Sequence, residues 1–77
     1  MVPRLTPVDC HKLIRFFEAH GFVAERQKGS HVSMTRAGIA RPVVIPKHSE
    51  VAVSVVMNNL RTAGLTRDQL LDWLAKN

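Results

Sequence analysis

The chain has 77 residues, enough for one small domain, and its 11 Lys and Arg outnumber its 6 Asp and Glu to give a formal net charge of +5. This balance indicates an anionic partner. The single cysteine, Cys10, excludes an internal disulfide framework. No secretory signal is visible, and the apolar runs are far shorter than the ~20 residues of a membrane span. We therefore expect one cytoplasmic domain over residues 1–77.

The first predicted element is a helix that begins near Thr6. The Thr6 hydroxyl can cap the helix, Pro7 suits its first position, and Asp9 adds negative charge to the first turn. Gly21 then ends the helix after its last turn. The apolar positions that repeat at helical spacing, and so predict one buried face, are Cys10, Leu13, Ile14 and Phe17.

Three short strands are predicted next, over residues 22–28, 31–35 and 43–45. Their connections are short, which favours an antiparallel meander. The second strand alternates, because Val32 and Met34 lie on one face and the residues between them lie on the other. The polar face of this strand consists of His31, Ser33 and Thr35.

Two more helices complete the predicted order. An apolar stripe at helical spacing ends at Gly64, and Thr66 with Gln69 resembles the capping box of a short third helix. One face of the sheet must be covered, and the two main helices are available for it. The sequence therefore predicts an α+β fold of order α-β-β-β-α plus a short C-terminal helix, with the helices on one face and the other face open. The stripe of the second helix contains Val53, Val56, Met57 and Leu60.

The whole surplus of positive charge lies in one stretch of the chain. Residues 26–49 contain no Asp or Glu, and the rest of the chain carries equal numbers of both signs. An open sheet face with this charge is typical of a site that binds a polyanion. The cations of the stretch are Arg26, Lys28, Arg36, Arg41 and Lys47.

The tripeptide Gly29-Ser30-His31 is the strongest candidate for chemistry in this stretch. Imidazole exchanges protons near neutral pH, glycine adopts conformations close to a ligand, and Ser30 offers a hydroxyl and an N–H to a phosphate. His48, after the third strand, could bind a phosphate or cooperate with His31. These residues alone leave open an ordinary hairpin turn with two surface histidines.

Other kinds of site have little support in the sequence. The chain has no Cys/His cluster for zinc, and residues 26–49 supply no carboxylate for a magnesium-dependent nuclease or a Ser-His-Asp triad. Aromatic residues are too scarce for a base-stacking platform. A non-catalytic RNA-binding module, or a basic protein-interaction domain with an acidic partner, fits the composition as well as an enzyme does.

Three motifs in this order resemble the HicA toxins, also called the YcfA-like family. They are the turn of residues 26–32, the strand end of residues 43–48 and the helix end of residues 59–66. The resemblance implies a double-stranded-RNA-binding-domain-like fold, mRNA interferase activity and an acidic HicB antitoxin that covers the active face. It also implies that His31 is catalytic and that Gly29 and Ser30 shape its turn.

The resemblance and the basic surface together predict a metal-independent RNA endonuclease. His31 would take the proton from an RNA 2′-hydroxyl, which attacks the adjacent phosphate. We expect no cofactor, no metal site and no membrane partner. The residues predicted to bind RNA phosphates are Arg26, Lys28, Arg36, Arg41, Lys47 and His48.

Overall fold

The computed structural model describes residues 4–77, which form three helices and a three-stranded sheet. The strands are antiparallel and lie in the order β1-β2-β3, so the predicted α+β fold with its meander is confirmed. The helices within residues 4–77 are all too short or too polar to span a bilayer. The elements are α1 (Cys10–Ala19), β1 (Val23–Lys28), β2 (His31–Thr35), β3 (Val43–Pro46), α2 (Val53–Ala63) and α3 (Arg67–Lys76).

Helix α1 begins later than predicted, because Asp9 and not Thr6 is its N-cap. The Asp9 carboxylate accepts hydrogen bonds from two backbone N–H groups of the first turn, at 3.0 and 3.2 Å. Before it, Val8 forms an isolated antiparallel bridge with Val51, with backbone hydrogen bonds of 3.1 and 2.7 Å. The bridge holds the chain extended at Val8, so the helix cannot start at Thr6 and Pro7. That predicted start is wrong.

The core lies between the helices and one face of β2 and β3. Ile14, predicted on the buried face of α1, is only partly buried, whereas Phe16 is fully buried. Helix α3 packs onto α1 through Trp73, whose ring meets Phe16 edge-to-face with centroids 5.9 Å apart. The buried residues of the sheet are Val32, Met34, Val43 and Ile45, and those of the covering helices include Leu13, Phe16, Phe17, Val56 and Leu60.

Strand β1 differs from the other strands, since all six of its residues are exposed and it carries a β-bulge at Glu25. Ala24 pairs with Met34, but Arg26 already pairs with Ser33. In a regular ladder counted back from the hairpin Glu25 would pair with the fully buried Met34, whereas in the bulged strand Ala24 pairs with it. The bulge therefore leaves Glu25 without a partner on β2.

The second half of the chain has well-defined helix ends. Gly64 follows α2 with φ +73°, a left-handed conformation that glycine adopts without strain. The Thr66 hydroxyl accepts a hydrogen bond from the Gln69 N–H at 3.1 Å, and the Gln69 side chain accepts one from the Thr66 N–H at 2.7 Å. The predicted capping box is confirmed, and it starts α3 directly after the turn.

Candidate functional site

The turn between β1 and β2 consists of Gly29 and Ser30. Gly29 has φ +57°, and a Cβ added to it would meet no heavy atom within 4 Å. The turn therefore needs glycine for its backbone conformation and not for space. The Ser30 carbonyl accepts a hydrogen bond from the Lys47 N–H at 2.6 Å. This bond joins the hairpin turn to the end of β3.

His31 is the first residue of β2 and lies in the middle of the sheet at its hairpin end. It pairs with Lys28 on β1 and with Pro46 on β3. Residues directly opposite each other share a face of the sheet, with Cβ atoms about 5 Å apart. The Lys28 and His31 side chains are therefore neighbours on the open face, where both residues are exposed.

The next row of the open face contains Arg26, Ser33 and Val44, which are paired across the three strands. Arg26 lies two residues from Lys28 on β1, a spacing of about 7 Å along the strand. The bulge at Glu25 comes before Arg26 in the chain. Arg26 and Lys28 therefore both belong to the regular stretch of strand pairing that begins at the hairpin turn. They form a short basic line beside His31.

Two further candidate residues, Lys47 and His48, follow β3 at the same end of the sheet. The hydrogen bond from Lys47 to Ser30 fixes the backbone there, and the His48 N–H donates to the Pro46 carbonyl at 2.9 Å in a tight turn. Both residues are exposed. The candidate residues that the structure brings to the hairpin end are Arg26, Lys28, Gly29, Ser30, His31, Lys47 and His48.

Arg36 lies elsewhere and has other contacts. Its guanidinium donates to the His20 carbonyl at 2.8 Å and to the Ala63 carbonyl at 3.4 Å, and it stands 4.7 Å above the Phe22 ring. These carbonyls lie at the C-terminal ends of α1 and α2, where a cation is favourable. The contacts of Arg36 join two helices to the start of the sheet, so we leave it out of the proposed phosphate-binding set.

Arg41 is also separate from the hairpin end. It lies two residues before β3, at the opposite end of that strand from Lys47. Its side chain lines a groove between β3 and α2, together with Asn59 and Arg61. Sequence reasoning missed both of these α2 residues. The available signal was Asn59 itself, a polar residue within the apolar stripe of α2 that is 5% exposed.

The hairpin end has the features of a site for an anion. The carboxylates nearest in sequence, Glu25 and Glu50, lie outside the stretch of residues 26–49, which is wholly free of acids. Within residues 4–77, no three His, Cys, Asp or Glu side chains are grouped so that they could hold a metal ion. The groups available for chemistry are thus the His31 imidazole, the Ser30 hydroxyl and the neighbouring cations.

A three-stranded antiparallel meander with helices on one face and a basic, histidine-containing hairpin on the other defines a small α+β protein with an open basic sheet face. The sequence model of the HicA toxin of bacterial toxin–antitoxin systems matches residues 10–65, which include every candidate residue. The chain belongs to the HicA toxin family, whose members function with an antitoxin partner. No curated protein matches the chain. Helix α3 lies outside the matched residues.

Proposed function

We propose that residues 1–77 form a single HicA-like domain that cleaves mRNA in the cytoplasm without a metal ion, and that a HicB-type antitoxin holds it inactive. Membership of a toxin family supports the first part. The observation that carries the cleavage proposal is the cross-strand pair of Lys28 and His31 at the hairpin end. It places a proton-exchanging group beside a fixed positive charge on an exposed surface.

The proposed reaction is transfer of the RNA phosphate to its own 2′-hydroxyl. His31 takes the 2′-hydroxyl proton, and the 2′-oxygen forms a bond to the adjacent phosphorus. The bond from phosphorus to the 5′-oxygen breaks, and that oxygen takes a proton from His48 or from water. The products are a 2′,3′-cyclic phosphate and a 5′-hydroxyl, so atoms and charge balance without an external reactant.

The cations at the hairpin end would hold the substrate. Lys28 stands beside His31 and would offset the charge that develops on the phosphate, and the Ser30 N–H or hydroxyl could donate to a phosphate oxygen. Arg26 and Lys47 would bind the flanking phosphates. Since DNA lacks the 2′-hydroxyl, it should bind to the same surface but not be cut.

The test compares the parent protein with His31→Ala on a long RNA in EDTA, with the product ends analysed. A positioned general base contributes roughly 10²–10⁴-fold, so we expect the variant to lose cleavage by that factor while it still binds RNA. His11→Ala is the matched control, because His11 is an exposed histidine on α1. Its cleavage should equal that of the parent.

Two results would overturn the proposal. Cleavage by His31→Ala at the parent rate would remove His31 from the reaction. RNA binding by the parent without any product would move the protein to the class of non-catalytic RNA-binding modules. If the parent showed no salt-dependent RNA binding either, a basic protein-interaction domain would be the better description.

A further inference from the structure

A groove of about 560 Å³ runs between β3 and α2, on the side of β3 that faces away from β2. Within residues 4–77, β3 pairs with β2 alone, so its other edge is unpaired. The wall formed by α2 includes the apolar Val55 and Met57, and the wall formed by β3 includes Val44, which is 44% exposed. An edge strand beside a helix is a geometry in which proteins bind extended peptides.

The hydrogen-bond pattern of β3 identifies the free backbone groups. The Lys47 N–H donates to Ser30 across the sheet, so Lys47 faces β2. Backbone groups alternate sides along a strand, and Val43 and Ile45 therefore also face β2. The N–H and C=O of Val44 point to the free edge, where each is available to a partner strand. Pro46 has no N–H, which limits pairing at the His31 end.

Thr62 in the groove donates to the Asn58 carbonyl at 3.0 Å, but the cations and the buried amide of the groove have no such partner within residues 4–77. Arg41 and Arg61 both line the groove, and no acidic residue lines it. The close contacts between basic and acidic side chains within residues 4–77 involve other residues, Lys76 with Asp72 and the His11 ring with Asp9. The buried Asn59 Nδ2 has no hydrogen-bond partner in the described part of the chain. A buried donor left unpaired is destabilising, so an oxygen acceptor that a partner brings to this amide would be stabilising.

We propose that this groove binds an extended, acidic segment of the antitoxin, which adds to the sheet as a fourth strand beside β3. Its backbone would pair with Val44, its carboxylates with Arg41 and Arg61, and an oxygen acceptor with the Asn59 amide. The inference rests on the antitoxin partnership of the proposed function. An extended peptide fits better than RNA, because the Val44 carbonyl would repel a phosphate and the apolar wall suits side chains.

The direct test is amide hydrogen exchange of the full-length toxin, free and in complex with its antitoxin. The Val44 amide has no partner in the free protein, so it should exchange at least about tenfold more slowly in the complex, because strand addition gives it a hydrogen bond. The amides of Val43 and Ile45 already face β2 and serve as internal references. An unchanged Val44 exchange rate in a formed complex would overturn the proposal.

A charge reversal tests the groove independently. Arg61→Glu should weaken antitoxin binding about tenfold or more, whereas Arg67→Glu, an exposed cation on α3 outside the groove, should change it little. Arg61→Glu should still cleave RNA at the parent rate when the antitoxin is absent. If Arg61→Glu instead weakens RNA binding and leaves antitoxin binding intact, the groove is an RNA site and the inference is wrong.

The two proposals fail in different ways. If the parent does not cleave RNA at all, the proposed function fails. The exchange of the Val44 amide and the comparison of Arg61→Glu with Arg67→Glu still show whether the antitoxin binds in the groove. If the parent cleaves RNA and the antitoxin binds both variants equally, only the groove inference fails. Matching thermal unfolding curves for the variants exclude a loss of fold as the cause.

Discussion

The five cations of the basic stretch divide into three groups when their contacts are compared residue by residue. Lys28 is exposed beside His31 on the open face, and Arg26 and Lys47 are exposed nearby. Arg41 lines the groove between β3 and α2. Arg36 is partly buried and donates to two helix-end carbonyls. One concentration of charge in the sequence therefore serves a candidate active site, a candidate docking groove and the fold itself.

Arg36→Ala should lower the free energy of unfolding by about 2 kcal/mol, because it removes two charged hydrogen bonds and the contact with the Phe22 ring. Urea denaturation measures the change. Lys28→Ala is the matched control and should stay within about 0.5 kcal/mol of the parent, since Lys28 is exposed. A stable Arg36→Ala that bound RNA poorly would instead restore Arg36 to the phosphate-binding set.

The sequence alone could predict a candidate site at the hairpin end. It could not predict that the five cations lie in different parts of the molecule. Gly29, Ser30 and His31 are contiguous, so turn chemistry and strand alternation suffice to place His31 on the open face. Arg36 obtains its partners from α1 and α2, which are distant in sequence. The neighbouring sequence does not distinguish Arg36 from Arg41, because both arginines lie in the same loop between β2 and β3.

The elements show the same contrast between local and long-range information. The capping box at Thr66 uses residues three apart, and the sequence predicts it correctly. The start of α1 depends on the Val8–Val51 bridge, which joins the segment before α1 to the segment before α2. The bulge in β1 is visible only in its pairing with β2, where Ala24 and not Glu25 lies opposite Met34. Propensity and spacing within a short window cannot reveal either of these two features.

Asp9→Ala should destabilise the protein by about 1 kcal/mol, since the Asp9 carboxylate satisfies two N–H groups at the start of α1. Thr6→Ala should change stability by less than about 0.5 kcal/mol, because Thr6 is exposed and precedes the helix. Thermal or urea unfolding of the pair is the measurement. Equal losses for both variants would contradict the assignment of Asp9 as the cap.

At the scale of the whole molecule, the sheet separates a covered face, where the core lies, from an open basic face. The fold class and the covered face followed from the sequence because apolar periodicity reports burial directly. The groove did not, since it forms only when α2 packs beside β3. Helix α3 adds Leu70 to the core and Trp73 against Phe16, outside the residues matched to the family.

The affinity for RNA should fall as the salt concentration rises, with a slope set by the number of phosphates that the open face binds. If Arg26, Lys28 and Lys47 each neutralise one phosphate, the slope of log K against log salt concentration should be about −2 for single-stranded RNA. Fluorescence anisotropy between low and moderate salt measures it. Replacing all three by Gln should bring the slope close to zero, and a slope unchanged by that replacement would place the RNA elsewhere.

The bulge at Glu25 also affects how the chain can vary in length. It divides β1 into two stretches, of which the second, from Arg26 to Lys28, pairs with β2 next to the hairpin. Loss of Glu25 would leave a regular ladder, and one added residue would only enlarge the bulge. A change of one residue at the bulge is thus absorbed before Arg26, upstream of the hairpin. A variant of this chain that lacks Glu25 should therefore keep the pairing of Lys28 with His31.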